Sequence, residues 1–252
     1  MGTYLITGAT GGIGTAVAEL LRERGHDLLL TGRSPERLDG LAATLRGGAN
    51  AATQVINRGA VASPPRAAAI GTIPLDLTEP RRIEASLAEA GIPARLDGIV
   101  HAAGMVHLGT VADTEADEWM EHLSVNLVSA AELTRLLLPA LRAAEGHVVF
   151  VNSTAGLRAN PEWSAYAASK FGLRALADSL RAEEPSLRVT TVYPGRTATD
   201  MQRRVRAQEG HPYAEDDFAA PETVARVLVA ALETPRDAVV SDVTVRPNPS
   251  RS

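Results

Sequence analysis

Tyr166 and Lys170 stand four residues apart in a stretch of helical character, so their side chains share one face. A phenol with a pKa of about 10 is a poor acid–base catalyst near neutrality. A neighbouring ammonium lowers that pKa and makes the phenol a competent proton donor or acceptor. Ser153, thirteen residues before Tyr166, closes an apolar run. Its hydroxyl could hydrogen-bond a substrate carbonyl at the carboxyl end of a sheet, where α/β proteins bind ligands. Asn126 falls inside a helical pattern, a poor place for a residue of low helix propensity. It could be an exposed polar residue, but a functional role explains the choice better. His101, His107, His122 and His211 show no metal-ligand spacing, so no metal is expected.

A second group of residues could hold phosphate. The string Thr7-Gly8-Ala9-Thr10-Gly11-Gly12-Ile13-Gly14 follows the first apolar run and opens an amphipathic helix. Gly8 permits a tight turn, Gly12 lets the backbone approach a pyrophosphate, and Gly14 lets helix and sheet pack closely. The helix N-terminus adds free N–H groups and a favourable dipole. A glycine string alone is weak evidence, but this one has the strand–turn–helix context that a dinucleotide requires. About 20 residues further on, an acidic residue would bind a ribose 2′-hydroxyl. The chain reads Gly32-Arg33-Ser34 there, with no carboxylate. Arg33 could pair with a 2′-phosphate, which favours NADP(H) over NAD(H). Asp76 could accept an adenine amino hydrogen, cap a helix ahead of Glu79, or do both.

These groups need a scaffold. The expected strands are Thr3–Thr7, Asp27–Thr31, Thr72–Leu75, Asp97–His101, His147–Asn152, Leu187–Tyr193 and Ala238–Val245. Most are near-continuous Val, Ile and Leu, as in parallel strands covered on both faces. Helical patterns lie at Gly14–Arg24, Thr114–Ala143, Ser164–Glu183 and Pro221–Glu233. The long 114–143 pattern carries Leu123, Leu127, Ala130, Ala131, Thr134 and Leu138 as its apolar stripe. This alternation predicts right-handed crossovers and a single-domain α/β Rossmann fold over 1–246, a doubly wound parallel sheet of order 3-2-1-4-5-6-7. Residues 47–71, rich in Ala, Gly and Pro, read as a surface insertion, with Gln54–Ile56 as a candidate short edge strand. Residues 194–220 read as a substrate loop and 247–252 as a tail.

Composition excludes several classes. A net charge of −5 lacks the basic footprint of a nucleic-acid binder, and 4% aromatics are too few for a single-strand stacking platform. No apolar run approaches a membrane span, and the N-terminus lacks a signal peptide's basic and apolar regions. With 0 cysteines there are no disulfides and no thiolate chemistry, which fits a reducing compartment. A cytoplasmic location is expected.

Taken together, the chain resembles a classical short-chain dehydrogenase/reductase over essentially its whole length. The resemblance rests on Thr7–Gly14, Asp76, His101-Ala102-Ala103-Gly104, Asn126, Ser153, Tyr166-Ala-Ala-Ser-Lys170, and Pro194-Gly195 with Thr199. It implies that Tyr166 is the catalytic acid/base and that Lys170 tunes it and binds the nicotinamide ribose. Ser153 would orient the carbonyl, and Asn126 would hold a water in a proton relay to Lys170. The implied cofactor contacts are Thr7, Gly8, Thr10, Gly12, Ile13 and Gly14 at the turn, with Arg33, Ser34, Asp76 and Leu77 at the adenosine end. Ala102, Ala103, Gly104, Tyr166, Lys170, Pro194, Gly195, Thr197 and Thr199 complete the set toward the nicotinamide.

The implied function is NADP(H)-dependent hydride transfer between nicotinamide and a carbonyl or secondary alcohol. A homodimer or homotetramer through the two long helices is the expected assembly, with Ala130, Ala131, Ala167 and Ala168 permitting close approach. Two departures stand out. His101-Ala102 replaces the family's usual Asn-Asn, and 47–71 is inserted. The glycine turn also fits the spacing of the extended epimerases and dehydratases, but too little chain follows Tyr193 for their substrate domain. A non-enzymatic NADP sensor or scaffold is the alternative of a different class. Such relatives commonly lose the Tyr or the Lys, and both are present. Arg196, Arg203, Arg204 and Arg206 could meet an acidic substrate, although a solvated helix face balanced by nearby acids is the better expectation.

Overall fold

The computed structural model describes residues 1–47 and 68–248. Seven parallel strands form one sheet in the order β3-β2-β1-β4-β5-β6-β7. They are β1 Thr3–Thr7, β2 Asp27–Gly32, β3 Ile70–Pro74, β4 Gly98–His101, β5 His147–Val151, β6 Arg188–Pro194 and β7 Asp242–Val245. β3 begins earlier than the expected Thr72, because Ile70 and Gly71 pair with Leu28 and Leu29. β7 is shorter than expected and pairs only from Asp242. Gln54–Ile56 and most of the expected insertion lie outside the described residues.

The continuous apolar runs of the strands are explained by two cores. Ile6, Leu28, Leu30, Val100, Val149 and Val192 point to one, and Leu5, Ile73, Ile99, Val148, Phe150 and Val189 to the other. Successive strand residues face opposite sides, so a strand covered on both must be apolar throughout. The first core is closed by α1 Gly12–Glu23, α2 Pro35–Gly47 and the C-terminal helix Pro221–Leu232 through Val17, Leu21, Leu38, Val224 and Leu228. The second is closed by α3 Ile83–Ala90 and by the two long helices described next, through Ile83, Leu133, Leu137, Leu173 and Leu180. Each large side chain fully buried in these layers contributes roughly 1.5–3 kcal/mol.

The expected single helix over 114–143 is three pieces. α4 spans Ala116–Leu123, a π-helical turn spans Ser124–Val128, and α5 spans Ser129–Ala144. The Ser129 N–H donates to Ser124 O, and Ser129 Oγ lies 2.7 Å from the same carbonyl. That wide turn adds a residue and rephases the helix. The buried stripe becomes Ala130, Leu133, Thr134, Leu137 and Leu141, while Leu127 and Leu138 are only half-buried. α6 is Ser164–Glu183, as expected from sequence. α7, Asp200–Gln208, lies within the expected substrate loop, and α8 is Pro221–Leu232.

His101 at the end of β4 is absorbed by the core. Its ring stacks on Phe150 at 4.9 Å with 7° between planes, and its Nε2 lies 3.0 Å from Thr134 Oγ1. Burial pushes its pKa down to about 3. Among the described residues, no helix is long and apolar enough to cross a membrane.

Candidate active site

β1 hands the chain to the glycine turn at Thr7. The Ala103 N–H donates to Thr7 Oγ1 at 3.1 Å, so Thr7 ties this turn to the loop after β4. Gly8 adopts φ +62, and a Cβ there would lie 2.7 Å from the Ala103 backbone. A Cβ on Gly14 would lie 2.2 Å from Gly8 O, so the helix packs directly against the turn carbonyl. The space above Gly12 meets the Thr199 methyl, 2.6 Å from an ideal Cβ. Gly12 therefore makes room for Thr199, ahead of α7. α1 has no side-chain cap and no acidic residue in its first turn, which leaves its N-terminus suited to an anion.

Beyond the ends of β2 and β3, Arg33 is exposed and lines a cleft with Asp76, Glu79 and Arg82. Asp76 Oδ1 accepts from the Thr78 N–H at 3.0 Å and the Thr78 hydroxyl at 2.7 Å. These bonds, reinforced by Arg33, hold its carboxyl below the usual range. Ser34 Oγ accepts from the Arg37 N–H at 3.2 Å and donates to Glu36 at 2.7 Å, so its hydroxyl is engaged at the start of α2. Arg37 was not singled out by sequence. It donates to Thr10 O at 2.8 Å and adds a second cation between the turn and β2. The Leu77 carbonyl accepts from Ser129 Oγ at 2.6 Å.

Ser153, Tyr166 and Lys170 line one cleft beyond the carboxyl ends of β4, β5 and β6, together with Ile13, Ala102, Gly104, Pro194 and Thr199. The cleft encloses about 890 Å³ including its open mouth. The sheet therefore brings together residues far apart in sequence. Lys170 is 3% exposed, and its Nζ donates to Val151 O at 3.1 Å. Burial pushes its pKa down to about 8. Its Nζ lies 5.8 Å from the Tyr166 ring centroid. Burial also pushes the Tyr166 phenol up, against a smaller lowering by its hydrogen bond with Ser153. The direction is opposite to the lowering anticipated from the four-residue spacing.

Asn126 is buried in the π turn. Its Oδ1 accepts from the Met105 N–H at 2.8 Å, and its Nδ2 donates to Met105 O at 3.0 Å and to Ser169 Oγ at 2.9 Å. A Cβ on Gly104 would lie 3.3 Å from Asn126 Oδ1 and 3.6 Å from Lys170 Nζ, so Gly104 keeps this corner open. Asn152, not anticipated from sequence, joins the elements that carry the site. It accepts from the Ser153 N–H at 2.8 Å and donates to Lys170 O at 3.0 Å.

The loop after Gly104 forms one wall and is pinned from three sides. His122 Nε2 accepts from the His107 N–H at 3.0 Å while Nδ1 lies 2.7 Å from Glu118 O, an arrangement that places the proton on Nδ1. Gln208 Oε1 accepts from the Leu108 N–H at 3.1 Å. Glu162 adopts φ 66 and accepts from the Gly109 N–H at 2.7 Å. No local pattern singles out these residues, because their partners are a fold away.

On the opposite side, the Gly195 N–H donates to Val245 O at 2.7 Å, fixing the Pro194–Gly195 turn to β7. Thr197 Oγ1 donates to Gly195 O at 3.1 Å, and Thr199 Oγ caps α7 by accepting from the Gln202 N–H at 3.2 Å. Arg196 and Arg206 both pair with Glu209, and Arg203 lies 4.2 Å from the Tyr213 ring centroid. Arg196 and Arg206 thus have the nearby acid that the balanced-face expectation called for, while Arg203 packs on an aromatic ring instead. Among the described residues, no cluster of His, Asp or Glu could hold a metal ion.

The family model of the short chain dehydrogenases matches residues 3–210. The chain belongs to this family. It is 32% identical over 248 residues to dehydrogenase/reductase SDR family member 7B of Bos taurus, covering 94% of this chain and 73% of that protein. It is 31% identical over 254 residues to the glycine betaine reductase of Emericella nidulans, covering 96% of this chain but only 18% of that much longer protein. Among solved structures, a short-chain dehydrogenase from Sphingobium yanoikuyae in complex with NADPH is similar at 26% identity and a TM-score of 0.76. That match covers 96% of this chain and 87% of the other. The short-chain dehydrogenases are oxidoreductases with a nucleotide-binding Rossmann fold, and the strand order here is theirs.

Proposed function

We propose that this chain is an NADP(H)-dependent oxidoreductase acting on a carbonyl or secondary alcohol, with Tyr166 exchanging the proton. The observation that carries this reading is the convergence of Ser153, Tyr166 and Lys170 in one cleft continuous with the glycine turn. The residues suit a dinucleotide. Gly8, Gly12 and Gly14 leave the backbone bare, and the uncapped start of α1 offers N–H groups to phosphate. Arg33 and Arg37 offer cations where NAD(H) binders carry a carboxylate. When bound, the nicotinamide supplies or accepts the hydride.

The protein's own groups do the rest. Ser153 orients the substrate oxygen. Tyr166, whose phenol pKa burial pushes up, exchanges its proton with the substrate oxygen, donating it to the developing alkoxide in reduction and taking it back in oxidation. Lys170 uses one N–H on Val151 and keeps two for a ribose hydroxyl and for the cleft. Both Asn126 amide hydrogens are used on Met105 and Ser169 while its Oδ1 accepts from Met105, so Asn126 positions Met105 and the π turn beside Lys170. Residues 194–220 act as the substrate loop. Assembly through α4–α6 leaves Val128 and Phe171, 46% and 41% exposed, as apolar contacts. Ala130 and Ala167 are instead spent inside the monomer core.

The test is oxidation of NADPH and NADH with ketones, aldehydes and acyl thioesters, run beside Tyr166→Phe. Substrate-dependent oxidation that Tyr166→Phe lacks is expected. Equal rates for the two proteins on every compound would overturn the proposal.

A further inference from the structure

Beyond the positions assigned to the dinucleotide, the cleft is walled by Val106, Trp163, Met201 and Val205, with Asn160 and Gln202 as polar members. Two of the described lining residues carry charge, Lys170 and Arg196. Arg196 already has an acidic partner. Glu209 holds its guanidinium through two hydrogen bonds of 2.9 and 2.5 Å, and it lies 5.9 Å from the Trp163 ring centroid.

Gln202 is different. Its backbone N–H caps onto Thr199 Oγ1 at 3.2 Å, which fixes its place in the first turn of α7. The residue is 7% exposed, yet its Nε2 has no hydrogen-bond partner among the described residues. Buried polar groups nearly always find a partner. The orphan nitrogen is closed off from solvent where it stands, and a turn of the terminal amide into the cleft that Gln202 lines is what lets a ligand acceptor complete its bonding. The donor lies on α7 beyond Thr199, among Met201 and Val205, on the apolar wall rather than at the glycine turn.

We propose that Gln202 is a specificity-determining residue whose side-chain N–H donates to a second oxygen of the substrate. The substrate class is then a neutral carbonyl compound with an apolar body and an additional ester, amide or ether acceptor. This rests on the carbonyl–alcohol reading of the same cleft. A carboxylate fits poorly, because the cation at this end is already matched by Glu209 and an unpaired buried charge is costly.

Three ketones on one carbon skeleton test the inference: one bearing an ester, one with a hydrocarbon of equal length in its place, and one bearing a carboxylate. Reduction by NADPH gives kcat/KM, and calorimetry on the protein–NADP+ complex gives Kd. A buried donor left unmatched predicts that the wild type prefers the ester over the hydrocarbon by about 5- to 150-fold in either readout. Gln202→Met, with Gln202→Leu as a second variant, should bring that ratio near one while the Kd for NADPH is unchanged. A wild type without preference overturns the proposal, and so does a ratio that survives in both variants. Preference for the carboxylate overturns it too, as does weakening of NADPH in place of the ester ketone. Binding preference that depends on Gln202, without turnover of any ketone, would sustain this inference and sink the catalytic one.

Discussion

Replacing Lys170 with methionine keeps an unbranched side chain one atom shorter and removes its charge. Burial holds the ammonium pKa at about 8, against 10.5 for a free lysine. At about 1.36 kcal/mol for each pH unit, the buried charge costs the folded state about 3 kcal/mol below pH 8. Between about pH 8 and 10.5 the unfolded chain binds this proton and the folded chain releases it. Stability from this group therefore rises with pH across that window, opposite to a lysine stabilised by an ion pair. Linkage gives a gain of about 2 kcal/mol between pH 8 and 10. The assay is urea unfolding without nucleotide at several pH values, with the difference between wild type and Lys170→Met taken at each. The difference cancels every other titrating group that the two proteins share. It should be flat below pH 7 and should move in favour of the wild type above pH 8. A difference constant from pH 7 to 10 would refute the argument, because it would mean that Lys170 is solvated or paired in the folded protein. Nucleotide binding is the second readout, and it should weaken in Lys170→Met if the remaining N–H groups serve a ribose.

Tyr166→Phe should lower turnover by roughly 10²–10⁴-fold while leaving the Kd for NADPH close to wild type, measured by single-turnover kinetics and fluorescence titration. Arg33→Ala should weaken NADPH by about 10- to 150-fold and NADH far less, and equal losses for both would remove the 2′-phosphate role. His101 is held neutral by burial near a pKa of about 3, so the unfolded chain binds the extra proton below pH 6.5. Stability should therefore fall as pH drops from 6.5 toward 3, and His101→Gln should flatten that fall in acid-unfolding curves. Gly14→Ala places a Cβ 2.2 Å from Gly8 O, so it should disrupt the turn and abolish nucleotide binding in a thermal-shift titration.

Much of this protein was legible in its sequence because local rules carried it. The strand runs, the glycine string and the 166–170 pair obey periods of two and 3.6 residues and turn stereochemistry, which neighbours in the chain enforce. Sheet order followed from the dinucleotide-binding fold to which the glycine string and the β-α alternation together pointed. The tertiary structure decided what depends on distant partners. The π turn at Ser124–Val128 is held partly by Ser129 against Leu77, and it rephases a stripe that looked like one helix. The Tyr166 phenol is pushed up by burial, a property of the whole fold that its spacing from Lys170 does not report. His101 became a core residue because Thr134 and Phe150 arrive from other elements. Asn152, His122 and Gln208 acquired roles only when folding brought Lys170, His107 and Leu108 within hydrogen-bond reach. Periodicity reports which face of an element turns inward, but the group it meets there depends on the three-dimensional arrangement of all the others.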